Sequence, residues 1–136
     1  TIDKIDSVLP DADFLYLALP ETAETKNLIS RERLDMLKPT CGIVNIGRQS
    51  AMNYDALCEK LIKNEIAGAI LDVFTHEPIE KNSKLWNIPN LVITPHVSSD
   101  DNGNYVKLTL DIFVKNLKLF IENKELSNQI DKKLGY

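Results

Sequence analysis

At 136 residues and a formal net charge of −4, the chain has the size of one ordinary domain and a charge balance that argues against a nucleic-acid partner. Its lysines are scattered among acids, no apolar run approaches the roughly 20 residues of a membrane helix, and the two cysteines, Cys41 and Cys58, form no Cys-x-x-Cys. A soluble, cytoplasmic protein is expected, with no membrane partner, no metal site and no disulfide framework; Thr1-Ile2-Asp3-Lys4-Ile5-Asp6 has no apolar signal core.

Taken in chain order, Phe14-Leu15-Tyr16-Leu17-Ala18-Leu19 is a continuous apolar run closed by Pro20, the pattern of a strand buried on both faces. Ser30 is placed to cap a helix with Glu32 in its first turn, Leu34 and Leu37 facing inward, and Pro39 as the stop. A strand over 42–47 follows. Asn53 reads as an N-cap, and Tyr54, Leu57, Cys58, Leu61 and Ile62 then recur at the spacing of one buried helical stripe. Strands over 67–73 and 91–94 are separated by a loop holding Pro78, Trp86 and Pro89. Val106, Leu110, Phe113, Val114, Leu117 and Ile121 line one face of a long helix at about 100–123, with Ser99, Asp100 and Asp101 suited to its start, and a polar tail over 125–136 completes the chain. Such alternation implies parallel strands joined by crossovers, hence an α/β fold with a doubly wound sheet.

Three polar residues stand just past the strand runs: Arg48 after Gly42-Ile43-Val44-Asn45-Ile46, Glu77 after the run ending Asp72-Val73-Phe74, and His96 after Leu91-Val92-Ile93-Thr94-Pro95. Ligands of parallel α/β sheets bind beyond the carboxyl ends of the strands. An arginine, a carboxylate and a histidine gathered there make an anion clamp and a tunable proton donor, which points to chemistry on a small carboxylic acid. Taken singly, each has a plainer reading: Arg48 as a solvated loop residue, Glu77 as a surface acid before proline, His96 as a structural histidine. Their joint placement changes the weighting. The five glycines, Gly42, Gly47, Gly68, Gly103 and Gly135, form no G-x-G-x-x-G, so nothing here builds the usual phosphate-cradling turn.

Leu19-Pro20-Glu21-Thr22-Ala23-Glu24-Thr25-Lys26-Asn27-Leu28-Ile29, Met36-Leu37-Lys38-Pro39, Asn45-Ile46-Gly47-Arg48, the run from Ala67 to Pro78, Leu85-Trp86 and Thr94-Pro95-His96 together resemble, in order and spacing, the D-isomer-specific 2-hydroxyacid dehydrogenase family. The nearest flavour is its glyoxylate/hydroxypyruvate reductase and phosphoglycerate dehydrogenase-like branch. The resemblance implies that Arg48 binds the substrate carboxylate and 2-oxo oxygen, a task for a planar, permanently charged fork. It implies that His96 protonates the carbonyl while hydride arrives from NAD or NADP, and that Glu77 holds the imidazole, an acidic neighbour favouring its charged form. His76 is set aside as a rival because it sits in a loop where the family tolerates many residues.

Leu19, Pro20, Thr25, the backbone of Ile46 and Gly47, Arg48, Asp72 and the turn from His96 through Ser98 and Ser99 match family positions near the nicotinamide half of the dinucleotide. Asp72 could instead cap local backbone, and Thr25 a turn. Where many relatives continue Asn-x-Gly-Arg with Gly and a Val-Asp pair, this chain has Gln49, Ser50, Ala51, Met52 and Asn53.

The resemblance covers the carboxyl-terminal half of such proteins. A partial doubly wound, Rossmann-type sheet lacking its first two strands is therefore expected, with residues 1–124 as the carboxyl-terminal part of the NAD(P)-binding domain. With spatial order 3-2-1-4-5-6, the chain's first strand corresponds to strand 3, so the missing pair is expected between its first and second strands. That leaves apolar inner edges that must rearrange or pair with another chain. The resemblance further implies a homodimer and a 2-oxo acid/D-2-hydroxy acid reaction, with the fragment inactive alone. A dinucleotide-sensing, corepressor-like scaffold is the alternative; formate dehydrogenases of the superfamily carry Gln where this chain has Glu77.

Overall fold

The computed structural model describes residues 2–134, so Thr1, Gly135 and Tyr136, the last two belonging to the expected polar tail, lie outside the described residues. The chain divides into two compact units, Thr1–Ser98 and Ser99–Tyr136. The division falls inside the 1–124 stretch expected to form one nucleotide-binding domain.

The first unit is a four-stranded parallel sheet of β1 (Phe14–Leu17), β2 (Gly42–Asn45), β3 (Gly68–Leu71) and β4 (Leu91–Ile93), in the spatial order β1-β2-β3-β4. Helix α1 (Ile5–Val8) precedes the sheet, α2 (Arg31–Asp35) joins β1 to β2, and α3 (Tyr54–Ile62) joins β2 to β3. Phe14 pairs with Gly42 and Leu17 with Asn45, and the register continues through Asn45 opposite Leu71. The expected gap between the first two strands does not exist: β1 and β2 are direct neighbours. Each right-handed crossover steps the chain one strand further in the same direction, so β1 cannot correspond to a strand on the far side of an absent pair. The expected rearrangement or pairing of apolar inner edges falls with it; Leu9, ahead of β1, is part of the core.

The same directional stepping places successive connections on one face of the sheet. Leu17, Ile43, Ala69 and Leu71 point to that face and are buried with Leu34 from α2, Leu37 just past its end, and Leu57 and Leu61 from α3. On the opposite face Tyr16, Ile70 and Val92 are exposed, as is Phe14 at the start of β1, 78% accessible. Strand β1 is therefore covered on one face, not on both as its apolar run suggested.

Helix α3 starts where expected: the Asn53 side chain accepts a hydrogen bond from the Ala56 amide at 3.0 Å. Tyr54, Leu57, Cys58 and Leu61 are buried, but Ile62, expected in the same stripe, is exposed. Ala56 and the Lys60 stem are buried too, which centres the inward arc near Leu57 and leaves Ile62 on the solvent side with Asp55 and Glu59.

In the second unit, α4 (Tyr105–Ile121) begins later than expected. Asp101 accepts from the amides of Gly103 and Asn104 in a turn before the helix instead of capping its first residue. None of the helix's residues is buried. No helix among the described residues is long and apolar enough to cross a membrane.

Candidate active site

Strand ends at one edge of the sheet deliver the three polar residues. After β2 the chain makes a turn through Gly47 and Arg48, and hydrogen bonds from Asn27 to Ser50, Ile29 to Ala51 and Asn53 to Ile29 hold the segment that follows against the loop after β1. Gly47 is required here by proximity: a Cβ at this position would stand 2.6 Å from the backbone of Leu19. Strand ends β1 and β2 thus meet at Leu19 and Gly47, two of the expected cofactor contacts. Arg48 is exposed, and its guanidinium donates to the Gly47 carbonyl at 2.8 Å.

Past β3 the chain turns at Phe74, whose amide donates to Glu77 Oε1 at 2.7 Å. The other carboxylate oxygen, Oε2, lies 2.8 Å from His96 Nδ1. The bond to His96, followed by the Phe74 amide, keeps the Glu77 carboxyl below the usual glutamate range. An ionised carboxylate only accepts hydrogen bonds, so Nδ1 carries the hydrogen of this contact and Nε2 is left as the nitrogen able to give or take a substrate proton.

His96 has a left-handed backbone, φ 58°, a conformation uncommon for a residue with a side chain. Asp72 explains how it is held. Fully buried, Asp72 accepts from the Thr94 hydroxyl and from the amides of Val97 and Ser98, both at 2.9 Å. Burial disfavours its charge, but the Thr94 hydroxyl and these amides outweigh burial and bring the carboxyl down to about 2. The carboxylate thereby binds the turn on both sides of His96.

A cleft of about 350 Å³ is lined by Arg48, Glu77 and His96 together with Glu21, Lys26, Gln49 and Ser50. The three expected catalytic residues are thus brought to one cavity. His76 lines a neighbouring cavity with Cys58 and Lys84. Thr25 is buried and turned inward, donating to the Pro20 carbonyl at 2.7 Å and accepting from the Thr22 amide at 2.8 Å, so it shapes the loop after β1. Ile46 donates to the Leu17 carbonyl. Ser98 reaches Asp72 through its amide, and Ser99 opens the second unit.

Two residues of the site escaped the sequence reading. Asn45 is fully buried in β2, its side chain accepting from the Gly47 amide and donating to the Arg48 carbonyl. It also donates to the Tyr54 hydroxyl at 3.0 Å. The available signal was an amide inside an otherwise apolar strand, since buried polar groups come with partners. Tyr54 read only as a helical stripe residue.

Residues 1–98 match the family described as D-isomer specific 2-hydroxyacid dehydrogenase, NAD binding domain. The chain is 46% identical over 95 residues to glyoxylate/hydroxypyruvate reductase B of Pectobacterium carotovorum, covering 70% of this chain and 30% of that one. It is 44% identical over 95 residues to the glyoxylate reductase of Pyrococcus furiosus, covering 70% and 28%. Among solved structures, a D-isomer specific 2-hydroxyacid dehydrogenase from Xanthobacter autotrophicus, in complex with NADPH and MES, superposes with a TM-score of 0.89 at 30% identity, covering 98% of this chain and 54% of that one. The NADPH-dependent glyoxylate/hydroxypyruvate reductase of Sinorhizobium meliloti, in complex with NADP and sulfate, gives 0.88 at 27% identity, covering 98% and 43%. The chain therefore spans between about a quarter and somewhat over half of the length of these proteins.

Proposed function

This chain belongs to the D-isomer specific 2-hydroxyacid dehydrogenase family, and from that premise we propose that the intact protein interconverts a small 2-oxo acid and a D-2-hydroxy acid with NAD or NADP. The observation that carries this reading is the 2.8 Å contact of His96 with Glu77 in the cleft that also holds Arg48. The Arg48 guanidinium binds the substrate carboxylate, and its fork also reaches the adjacent 2-oxo oxygen. This fixes the carbonyl and polarises it. His96 gives its Nε2 proton to that oxygen as it becomes an alcohol, and Glu77 keeps the Nδ1 hydrogen in place and balances the imidazolium charge before transfer. In the oxidative direction the neutral imidazole takes the hydroxyl proton back.

The residues present fit the nicotinamide half of a dinucleotide. The end of β1 at Leu19 and Pro20 lies against Gly47 after β2, and Asp72 holds the turn at Val97 and Ser98 past β4. When bound, the cofactor supplies or accepts the hydride. The glycine-rich turn that would hold a pyrophosphate is not among these residues. In this reading the enzyme is a cytoplasmic homodimer.

Oxidation of NADH and NADPH by the intact protein, followed at 340 nm with glyoxylate, hydroxypyruvate and a panel of 2-oxo acids, tests the proposal. Turnover with at least one acid is expected, and none with any would overturn it. Partner capture that depends on NADH, without catalysis, would instead favour a sensing scaffold.

A further inference from the structure

We infer that the Tyr54 hydroxyl is a positioning group for this site, fixing the Arg48 turn relative to the strand end that carries Glu77. The inference rests on the reductase reading and deepens it. Tyr54 is the first residue of α3 and is buried. Its hydroxyl donates to the Val73 carbonyl at 3.0 Å and accepts from the Asn45 side-chain amide at 3.0 Å. The same amide nitrogen donates to the Arg48 carbonyl at 3.1 Å, and the Asn45 oxygen accepts from the Gly47 amide at 3.0 Å. On the other side, Val73 precedes Phe74, whose amide holds Glu77.

An unbroken chain of hydrogen bonds therefore runs from the turn bearing the anion-binding arginine, through Asn45 and Tyr54, to the strand end that carries Glu77. Neither Asn45 nor Tyr54 lines the cleft that contains Arg48 and His96. The ring of Tyr54 also meets Phe74 edge-on, with centroids 6.2 Å apart. Burial pushes the Tyr54 hydroxyl well above its ordinary value, so it remains a hydrogen-bond donor throughout the working pH range.

A phenylalanine would satisfy the packing alone. What it cannot do is give the Val73 carbonyl a donor and the Asn45 amide an acceptor, and buried groups deprived of partners pull their surroundings into new arrangements. A purely structural tyrosine would act on stability; a positioning tyrosine acts through Arg48. The two are separable because coupled residues give non-additive losses.

The test compares Tyr54→Phe in two backgrounds of the intact protein, wild type and Arg48→Lys. The substrate is whichever 2-oxo acid the wild type reduces. In the wild-type background kcat/KM for that acid is expected to fall about tenfold. The KM for the nicotinamide cofactor should stay put, and in the Arg48→Lys background the same change should cost less than about twofold. Equal losses in both backgrounds, an unchanged kcat/KM, or a parallel shift in cofactor KM would overturn the inference. Should the wild type reduce no 2-oxo acid, the reductase reading fails while the positioning role is judged by hydrogen exchange. Faster exchange of the Asn45–Ser50 amides in Tyr54→Phe, with the rest of the sheet unchanged, supports it; unaltered exchange there, or uniform acceleration throughout, refutes it.

Discussion

His96 Nδ1 lies 2.8 Å from Glu77 Oε2, although the two residues stand on different strand ends and the histidine occupies a left-handed backbone conformation. Glu77 is itself anchored by the Phe74 amide, so the acid is held before it holds the imidazole. Replacing Glu77 by Gln keeps the shape and removes the charge. Reductive kcat is expected to fall by a factor on the order of 10², the usual worth of a positioned proton donor, with a smaller change in KM. Steady-state kinetics with saturating NADPH or NADH checks this, and a kcat within about twofold of wild type would remove the pair from the mechanism.

The wild-type pH profile carries a second expectation. His96 first, and then the Phe74 amide, hold the Glu77 carboxyl below its normal range. Glu77 therefore remains ionised as the pH falls through the values where a free glutamate takes up a proton, and its protonation should not limit activity there. A loss of kcat/KM that titrates with the ordinary glutamate value of 4.5, and disappears in Glu77→Gln, would contradict this.

Arg48→Lys preserves one positive charge but loses the planar pair of donors. The expected result is a rise of about ten- to a hundredfold in KM for the 2-oxo acid, with cofactor KM little altered, because a point charge cannot satisfy carboxylate and carbonyl together. Initial-rate measurements varying each substrate in turn separate the two.

Asp72 couples the site to acid stability. Its carboxyl titrates at about 2 against 3.8 for the free side chain. A carboxylate whose folded-state value is depressed contributes stability that is fully present above the unfolded value and is lost as pH falls through the folded one. The contribution is on the order of 2 kcal/mol at neutral pH, declining between about pH 4 and pH 2. Asp72→Asn should be less stable by about that amount at pH 7 and lose less on acidification, as read by urea unfolding across pH. Because Asp72 holds the amides after His96, the same variant should also lower kcat.

Gly47→Ala tests the close approach of the first two strand ends. A methyl group there would stand 2.6 Å from Leu19 backbone, which has no flexible end to yield. A destabilisation of about 1–3 kcal/mol is expected from overpacking, visible as a lowered thermal midpoint.

From β1 onward the residue pattern carried the element order, the N-cap at Asn53, and Arg48, Glu77 and His96 as a group, because each leaves a local mark: an apolar run, a capping side chain, a polar residue at a strand's end; the short helix α1 (Ile5–Val8) left none. Asp72 was legible as a strand-end acid. Its actual bonds, to Thr94, Val97 and Ser98, join residues more than twenty positions apart and leave no local mark. Ile62 matches the helical spacing but falls outside the buried arc of α3, because that arc also includes Ala56 and Lys60.

By itself, then, the sequence determined which segments become strands and helices and which polar groups stand at the strand ends, since periodicity and chain punctuation are properties of neighbours. Only the tertiary structure decided that β1 lies directly beside β2, that one face of the sheet takes both crossover helices, and that Tyr54 and Asn45 bridge two strand ends. Strand order depends on the direction of each crossover, and a buried hydrogen bond depends on which distant groups are excluded from water together; both arise when the layers pack.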